Sequence, residues 1–124
     1  MTLKFYGYQK CSSCQSALKY LKSKNIQFTE IDIISSPPSR QEIQEMLIHL
    51  EKKGQGINKL FNVSGEVYRE LKLKDKIPSM SEAELIKLLL SNGKLIKRPF
   101  LIGEFNQVNL GIVGFKQEEW DKLF

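Results

Sequence analysis

Both cysteines of the 124-residue chain lie in one short run, Cys11-Ser12-Ser13-Cys14. The run follows an alternating, aromatic stretch, Leu3-Lys4-Phe5-Tyr6-Gly7-Tyr8, that reads as a strand. It precedes a stretch with helical spacing, Ser16-Ala17-Leu18-Lys19-Tyr20-Leu21-Lys22. The order strand, cysteine pair, helix is a strong constraint. It sets the first sulfur at a helix N-terminus, where unpaired N–H groups and the macrodipole favour a thiolate. The thiolate is the nucleophilic form of cysteine. A C-x-x-C pair at the opening of a βαβ pattern is a redox signature. Cys11 is expected to attack and Cys14, the more sheltered sulfur, to resolve. Ser12 and Ser13 can offer hydroxyls and backbone N–H groups and are expected to tune the thiolate. Two other uses of such a pair are a zinc site and a purely structural role. A structural zinc usually takes four Cys or His ligands, and this chain has two cysteines and one histidine, His49. We therefore prefer the redox reading and expect no bound metal or cofactor.

The length suits one domain spanning residues 1–124 with a real core. Hydrophobic residues make up 41% and charged residues 27%, a balance that suits a soluble globular class. No run of about eighteen apolar residues occurs, so no membrane helix is expected. The first residues form a charged strand and not a signal peptide. A cytoplasmic location follows as an expectation, and disulfides there are usually transient or redox-sensing. The net charge of +5 suits acidic partners or anionic substrates. The lysines are spread along the chain, with small groups at Lys72-Leu73-Lys74-Asp75-Lys76 and at Lys94 with Lys97-Arg98. There is no glycine-rich phosphate loop and no basic recognition helix, so no direct nucleic-acid contact is expected.

The first helix is expected from about Cys14 to Lys24, closed by Asn25. Ile26 to Ile33 alternates as a second strand, and Pro37-Pro38 ends it. Ser39-Arg40-Gln41-Glu42 is a capping box that opens a helix with Ile43, Met46, Leu47 and Leu50 as its apolar stripe. His49 falls in this helix as an ordinary residue. Ile57 to Phe61 reads as a helical turn. Ser64 is expected to cap a short helix carrying Val67, Tyr68 and Leu71, and Lys72 to Pro78 reads as a charged loop. Ser81-Glu82-Ala83-Glu84 is a second capping box, before Leu85, Ile86, Leu88, Leu89 and Leu90. Asn92-Gly93 is expected to stop that helix. The stretch from about 39 to 91 is thus a helical block. Pro99-Phe100-Leu101-Ile102 then reads as a strand, Gly103 to Asn106 as a turn, and Gln107 to Ile112 as a partner strand. Lys116 to Phe124 reads as a closing helix anchored by Trp120 and Leu123.

The order βαβ, helices, ββα is an α/β thioredoxin-like order with a helical insert, and it implies a small mixed sheet covered by helices. Thioredoxin-like proteins place a cis proline opposite the redox cysteine. Pro99, which opens an apolar strand, is the preferred candidate over Pro78. Arg98, just before it, would then stand near Cys11. Its cation would favour the thiolate, and its planar fork could hold a carboxylate or oxyanion.

Several segments together resemble the glutaredoxin-coupled arsenate reductase (ArsC) and Spx family, over nearly the whole chain. They are Lys10-Cys11-Ser12-Ser13-Cys14, Pro37-Pro38-Ser39, the segment Phe61 to Glu70, Lys97-Arg98-Pro99 and Val113-Gly114-Phe115. The resemblance implies a thioredoxin fold with a helical insert and a cis bond at Pro99. Arsenate reductases of this family use one cysteine and three arginines. Cys11 and Arg98 match two of these four positions. The second arginine falls on Asn62, and the third belongs near Gln107 to Ile112, where no arginine occurs. Spx-type regulators use the cysteine pair as a redox switch and bind the C-terminal domain of the RNA polymerase α subunit. The expected function is therefore a thiol–disulfide or glutathione-linked reductase, reset by glutathione, glutaredoxin or thioredoxin. The alternatives are an Spx-like regulator and, third, an arsenate reductase.

Overall fold

The computed structural model describes residues 2–124. Its centre is a four-stranded sheet in the order β2-β1-β3-β4, formed by β1 (Leu3–Gly7), β2 (Thr29–Asp32), β3 (Phe100–Phe105) and β4 (Val108–Val113). β1 runs parallel to β2 and antiparallel to β3, and β3 runs antiparallel to β4. Strand alternation sends successive side chains to opposite faces. Leu3 and Phe5 of β1 therefore join Leu101, Leu110 and Ile112 on one face, under α1 (Ser12–Ser23) and Trp120. Tyr6, Phe100, Ile102 and Val113 join the other face, under α2 (Arg40–Glu51) and the helices that follow it. This is a thioredoxin-like α/β fold with a helical insert between its βαβ and ββα parts.

Both capping boxes form as the sequence predicts. Ser39 and Glu42 exchange hydrogen bonds at the start of α2, and Ser81 and Glu84 do so at the start of α5 (Glu82–Ser91, numbered after the two short helices given below). Asn25 closes α1 in the left-handed conformation at φ 56°, and the Ile26 N–H reaches back to Leu21 O at 3.0 Å.

Other boundaries differ from the expectations. The second strand pairs over Thr29–Asp32 alone, because Ile26 is buried beneath the end of α1 before the ladder begins. Lys72 to Pro78 is not a loop. Lys72 turns at φ 54° into α4 (Leu73–Lys76), and a 3-10 turn covers Ile77–Ser79. Leu73 and Ile77, four residues apart, are both buried and hold this segment to the core. Ser64 is not the cap of α3 (Glu66–Glu70). Gly65 occupies that position, and the Ser64 hydroxyl lies 3.5 Å from Asn62 Oδ1.

Gly93 does not adopt a left-handed stop. It is buried, and a Cβ there would lie 2.1 Å from Ile33 O, so it marks a close backbone approach. Gly103 lies within β3 and not in a turn. Its φ of +144° and its contact with Thr2 O exclude other side chains. The turn falls instead on Asn106 and Gln107, both at positive φ (50° and 65°), a two-residue hairpin of the primed type. The closing helix α6 is short (Gln117–Asp121), and its Trp120 is fully buried with Nε1–H donating to Gly114 O at 3.0 Å. Leu123 follows α6 and is half-buried.

Candidate functional site: a cysteine pair at the start of the first helix

Cys11 is the N-cap of α1, with extended backbone at φ −96° and ψ 118°. Its N–H donates to Tyr8 O at 3.0 Å, and its carbonyl accepts from Gln15 N at 3.1 Å. The Gln15 side chain also donates to Gln9 O at 2.9 Å, which clamps the loop between β1 and α1. No side chain caps the first turn of α1, and no acidic residue lies in it. The N–H groups there have no side-chain partner. Cys11 is partly exposed, whereas Cys14 is 1% exposed. Ser12 and Ser13 lie exposed in the first turn.

The two thiols are inequivalent. Burial pushes the Cys14 thiol up to about 12, the neighbouring Cys11 sulfur adds to the rise, and the Tyr8 backbone N–H and the Arg98 cation oppose it. Gly7 makes room for the Phe5 ring, beside this buried sulfur. A Cβ at Gly7 would lie 3.4 Å from Cys14 Sγ and 2.5 Å from Phe5 Cε1.

The sheet brings Arg98 and Pro99 to the same end as the cysteines. The antiparallel register pairs Tyr6 with Phe100, so the end of β1 that leads to Cys11 lies beside the start of β3. The Arg98–Pro99 peptide is cis, and Pro99 is buried. Pro99 O accepts from Gly114 N at 2.8 Å, which ties the proline to the segment after β4. Pro78, the rival candidate, is exposed in the 3-10 turn of the insert. Arg98 stacks over the Tyr8 ring, 5.3 Å from its centroid, and its Nη1 donates to Lys94 O at 3.4 Å. Lys94 O also accepts from Asn62 Nδ2 at 3.3 Å, so Asn62 and Arg98 meet at one carbonyl. Arg69 is exposed and donates to Ser64 O at 2.9 Å. His49 is on α2, which covers the sheet face opposite Cys14, so the two cannot share one ion.

Sequence reasoning missed Tyr8 and Gly7 as parts of this site. No spacing rule joins Tyr8 to Arg98; only the pairing of β1 with β3 does. The glycine before the aromatic residue was the available signal for Gly7.

A cysteine pair at the strand–helix junction and a cis proline at the start of the neighbouring strand, on a mixed four-stranded sheet, make a thioredoxin-like arrangement. The chain belongs to the ArsC family, whose model matches residues 6–123. It is 43% identical to the uncharacterized protein YusI of Bacillus subtilis over 98% of both chains. It is 30% identical to the regulatory protein MgsR of the same organism, over 98% of this chain and 89% of that one. The crystal structure of an ArsC family related protein from Bacteroides fragilis superposes with a TM-score of 0.89 at 43% identity, over 100% of this chain and 98% of that one. Two further relatives bear functional names. The global transcriptional regulator Spx 1 of Oceanobacillus iheyensis is 32% identical over 80% of this chain and 72% of its own. An arsenate reductase of Rhizobium meliloti is 29% identical over 82% of this chain and 69% of its own.

Proposed function

We propose that the chain is an ArsC-family thiol–disulfide oxidoreductase with Cys11 as nucleophile and Cys14 as resolving thiol. The observation that carries this reading is the inequivalence of the two sulfurs, one at an uncapped helix N-terminus and the other buried three residues on. The Cys11 thiolate attacks one sulfur of a substrate disulfide. The substrate S–S bond breaks, and the departing thiolate takes up a proton. A mixed disulfide now joins Cys11 to the substrate, and the Cys11 negative charge is gone. One cause of the high Cys14 value disappears with it, while Arg98 and the Tyr8 N–H still favour the Cys14 thiolate. Cys14 then gives up its proton and attacks the Cys11 sulfur. The second substrate thiol leaves, the substrate has gained two electrons, and Cys11–Cys14 is a disulfide. Two thiols of glutathione, glutaredoxin or thioredoxin would restore the pair.

The test is trapping. Cys14→Ser incubated with glutathione disulfide should accumulate a stable adduct on Cys11, read by intact mass, while Cys11→Ser should neither trap nor turn over. Full turnover by Cys11→Ser would overturn the assignment.

A second reading is a redox-switched regulator that binds the C-terminal domain of the RNA polymerase α subunit. It is supported by the regulatory names of relatives that align along most of the chain. Saturable binding of that domain, different for the reduced and oxidised pair, would favour it over catalysis. Arsenate reduction has less support. Arg98 is the guanidinium whose charge acts on Cys14, Arg69 is exposed and turned to Ser64 O, and Asn62 stands where a further arginine is expected. A single cation stabilises poorly the charge that develops on an oxyanion.

A further inference from the structure

The far end of the sheet carries a second feature, unrelated to the thiols. β4 is an edge strand. The two-residue turn pairs Phe105 with Val108, and pairing then alternates along the ladder. Asn109, Gly111 and Val113 therefore turn their backbone N–H and C=O groups away from β3. The Gly111 carbonyl shows this directly, since it accepts from Lys53 Nζ at 3.5 Å on the outer side. Asn109 is exposed, and Val108 beside it is 61% exposed.

A cleft of about 400 Å³ runs along this edge, and His49, Lys52, Lys53 and Lys122 all line it. His49 packs closely on the strand because residue 111 is glycine; a Cβ there would lie 2.6 Å from its ring. Among the described residues, none of these lysines forms an ion pair. The ion pair found among the described residues is Lys4–Glu42, on another part of the surface. Burial and then Lys52 and Lys53 hold His49 below its ordinary value, with Glu45 opposing. Burial also lowers Lys53, with Glu119 opposing. A lysine across an edge strand is a common protection against unwanted pairing. Three lysines around one cleft exceed that need.

We propose that this edge docks an extended acidic segment of a partner protein. The segment would add a strand to β4 at Asn109–Gly111, displacing Lys53 from the Gly111 carbonyl. Its carboxylates would meet Lys52, Lys53 and Lys122, and its apolar side chains would cover Val108. Strand addition takes affinity from main-chain hydrogen bonds and specificity from alternate side chains. Because this end of the sheet is remote from the loop that carries Cys11, a docked partner would leave the thiols free.

The test uses the full-length protein and a fluorescein-labelled peptide of alternating glutamate and valine, read by anisotropy. Saturable binding is expected. It should weaken about tenfold in the Lys52→Glu/Lys53→Glu double variant. Asn109→Pro removes only an outward-facing N–H, which an edge strand tolerates, and it too should weaken binding severalfold. If that variant does not fold, amide exchange of the native protein replaces it, with slower exchange at Asn109 expected on adding peptide. Unchanged binding in Asn109→Pro, or unchanged exchange at Asn109, would reduce the site to non-directional charge attraction and overturn strand addition. Absence of peptide binding, or tighter binding of a single-stranded oligonucleotide of equal charge, would also overturn the proposal.

Discussion

The protection of Cys14 can be measured in isolation with Cys11→Ser, which leaves one thiol in the chain. At pH 8 a thiol at about 12 is ionised to about one part in ten thousand, whereas an ordinary cysteine near 8.5 is ionised to about a quarter. The full difference is a factor of about two thousand. Burial is the largest cause and survives the substitution, but the neighbouring Cys11 sulfur does not. We therefore expect iodoacetamide to modify Cys14 about a hundredfold to a thousandfold more slowly in the folded variant than in the same variant unfolded in urea. The rate should also rise about tenfold per pH unit between pH 8 and 10, because the thiolate fraction is still far from saturation. Protection below about tenfold, or a plateau by pH 9, would refute the reasoning. Cys14 would then be neither sheltered nor held protonated, and nothing would distinguish a resolving thiol from an attacking one.

Two predictions concern the framework. Tyr6→Phe removes the 2.7 Å hydrogen bond to Glu42 Oε1, where α2 docks on β1. Burial pushes the Glu42 carboxyl up, but the Ser39 N–H, the Tyr6 hydroxyl and Lys4 outweigh it and hold the group below its ordinary range. The lowered group stabilises the fold above its unfolded value and loses that contribution as pH falls through the folded one. Urea denaturation should show a loss of about 1–2 kcal/mol at pH 7 that shrinks below about pH 4; a loss independent of pH would assign the effect to packing. Gln107→Gly should relieve the left-handed strain at the second hairpin position and raise Tm by about 2–4 °C in calorimetry, whereas a lower Tm would show that the Gln107 side chain stabilises the turn.

The elements encoded by local rules were legible, and those set by tertiary contact were not. Both capping boxes and the Asn25 closure follow from three or four consecutive residues, and the structure keeps them. Lys72 to Pro78 looked like a loop because four charged residues and a proline outvote two apolar positions. Burial of Leu73 and Ile77 against the insert then folds the segment into helical turns. Gly103 looked like a turn for a similar reason. Glycine signals either a turn or a close approach, and only the neighbouring Thr2 carbonyl decides between them. Of the site, the cysteine pair and Arg98-Pro99 were legible, but the stacking of Arg98 on Tyr8 and its meeting with Asn62 at Lys94 O were not. Those contacts join residues tens of positions apart, and a single sequence carries no signal for them.

The spacing of the cysteines explains why their environments differ. A helical stripe repeats at three and four residues. Starting from Cys14, that rule reaches Ala17, Leu18 and Leu21, and all four are buried on one face of α1. Cys11 stands one step earlier in the same series, but the helix begins at Ser12, so position 11 is the cap and stays at the surface. One stripe therefore delivers both sulfurs to neighbouring positions while giving them opposite environments. Removing one of the two serines would shift the second cysteine by about 100° around the helix and off the buried stripe. Ser12 and Ser13 serve first as spacers in this arrangement, and their hydroxyls are secondary. The proposed division into an attacking and a resolving thiol rests on where the helix starts.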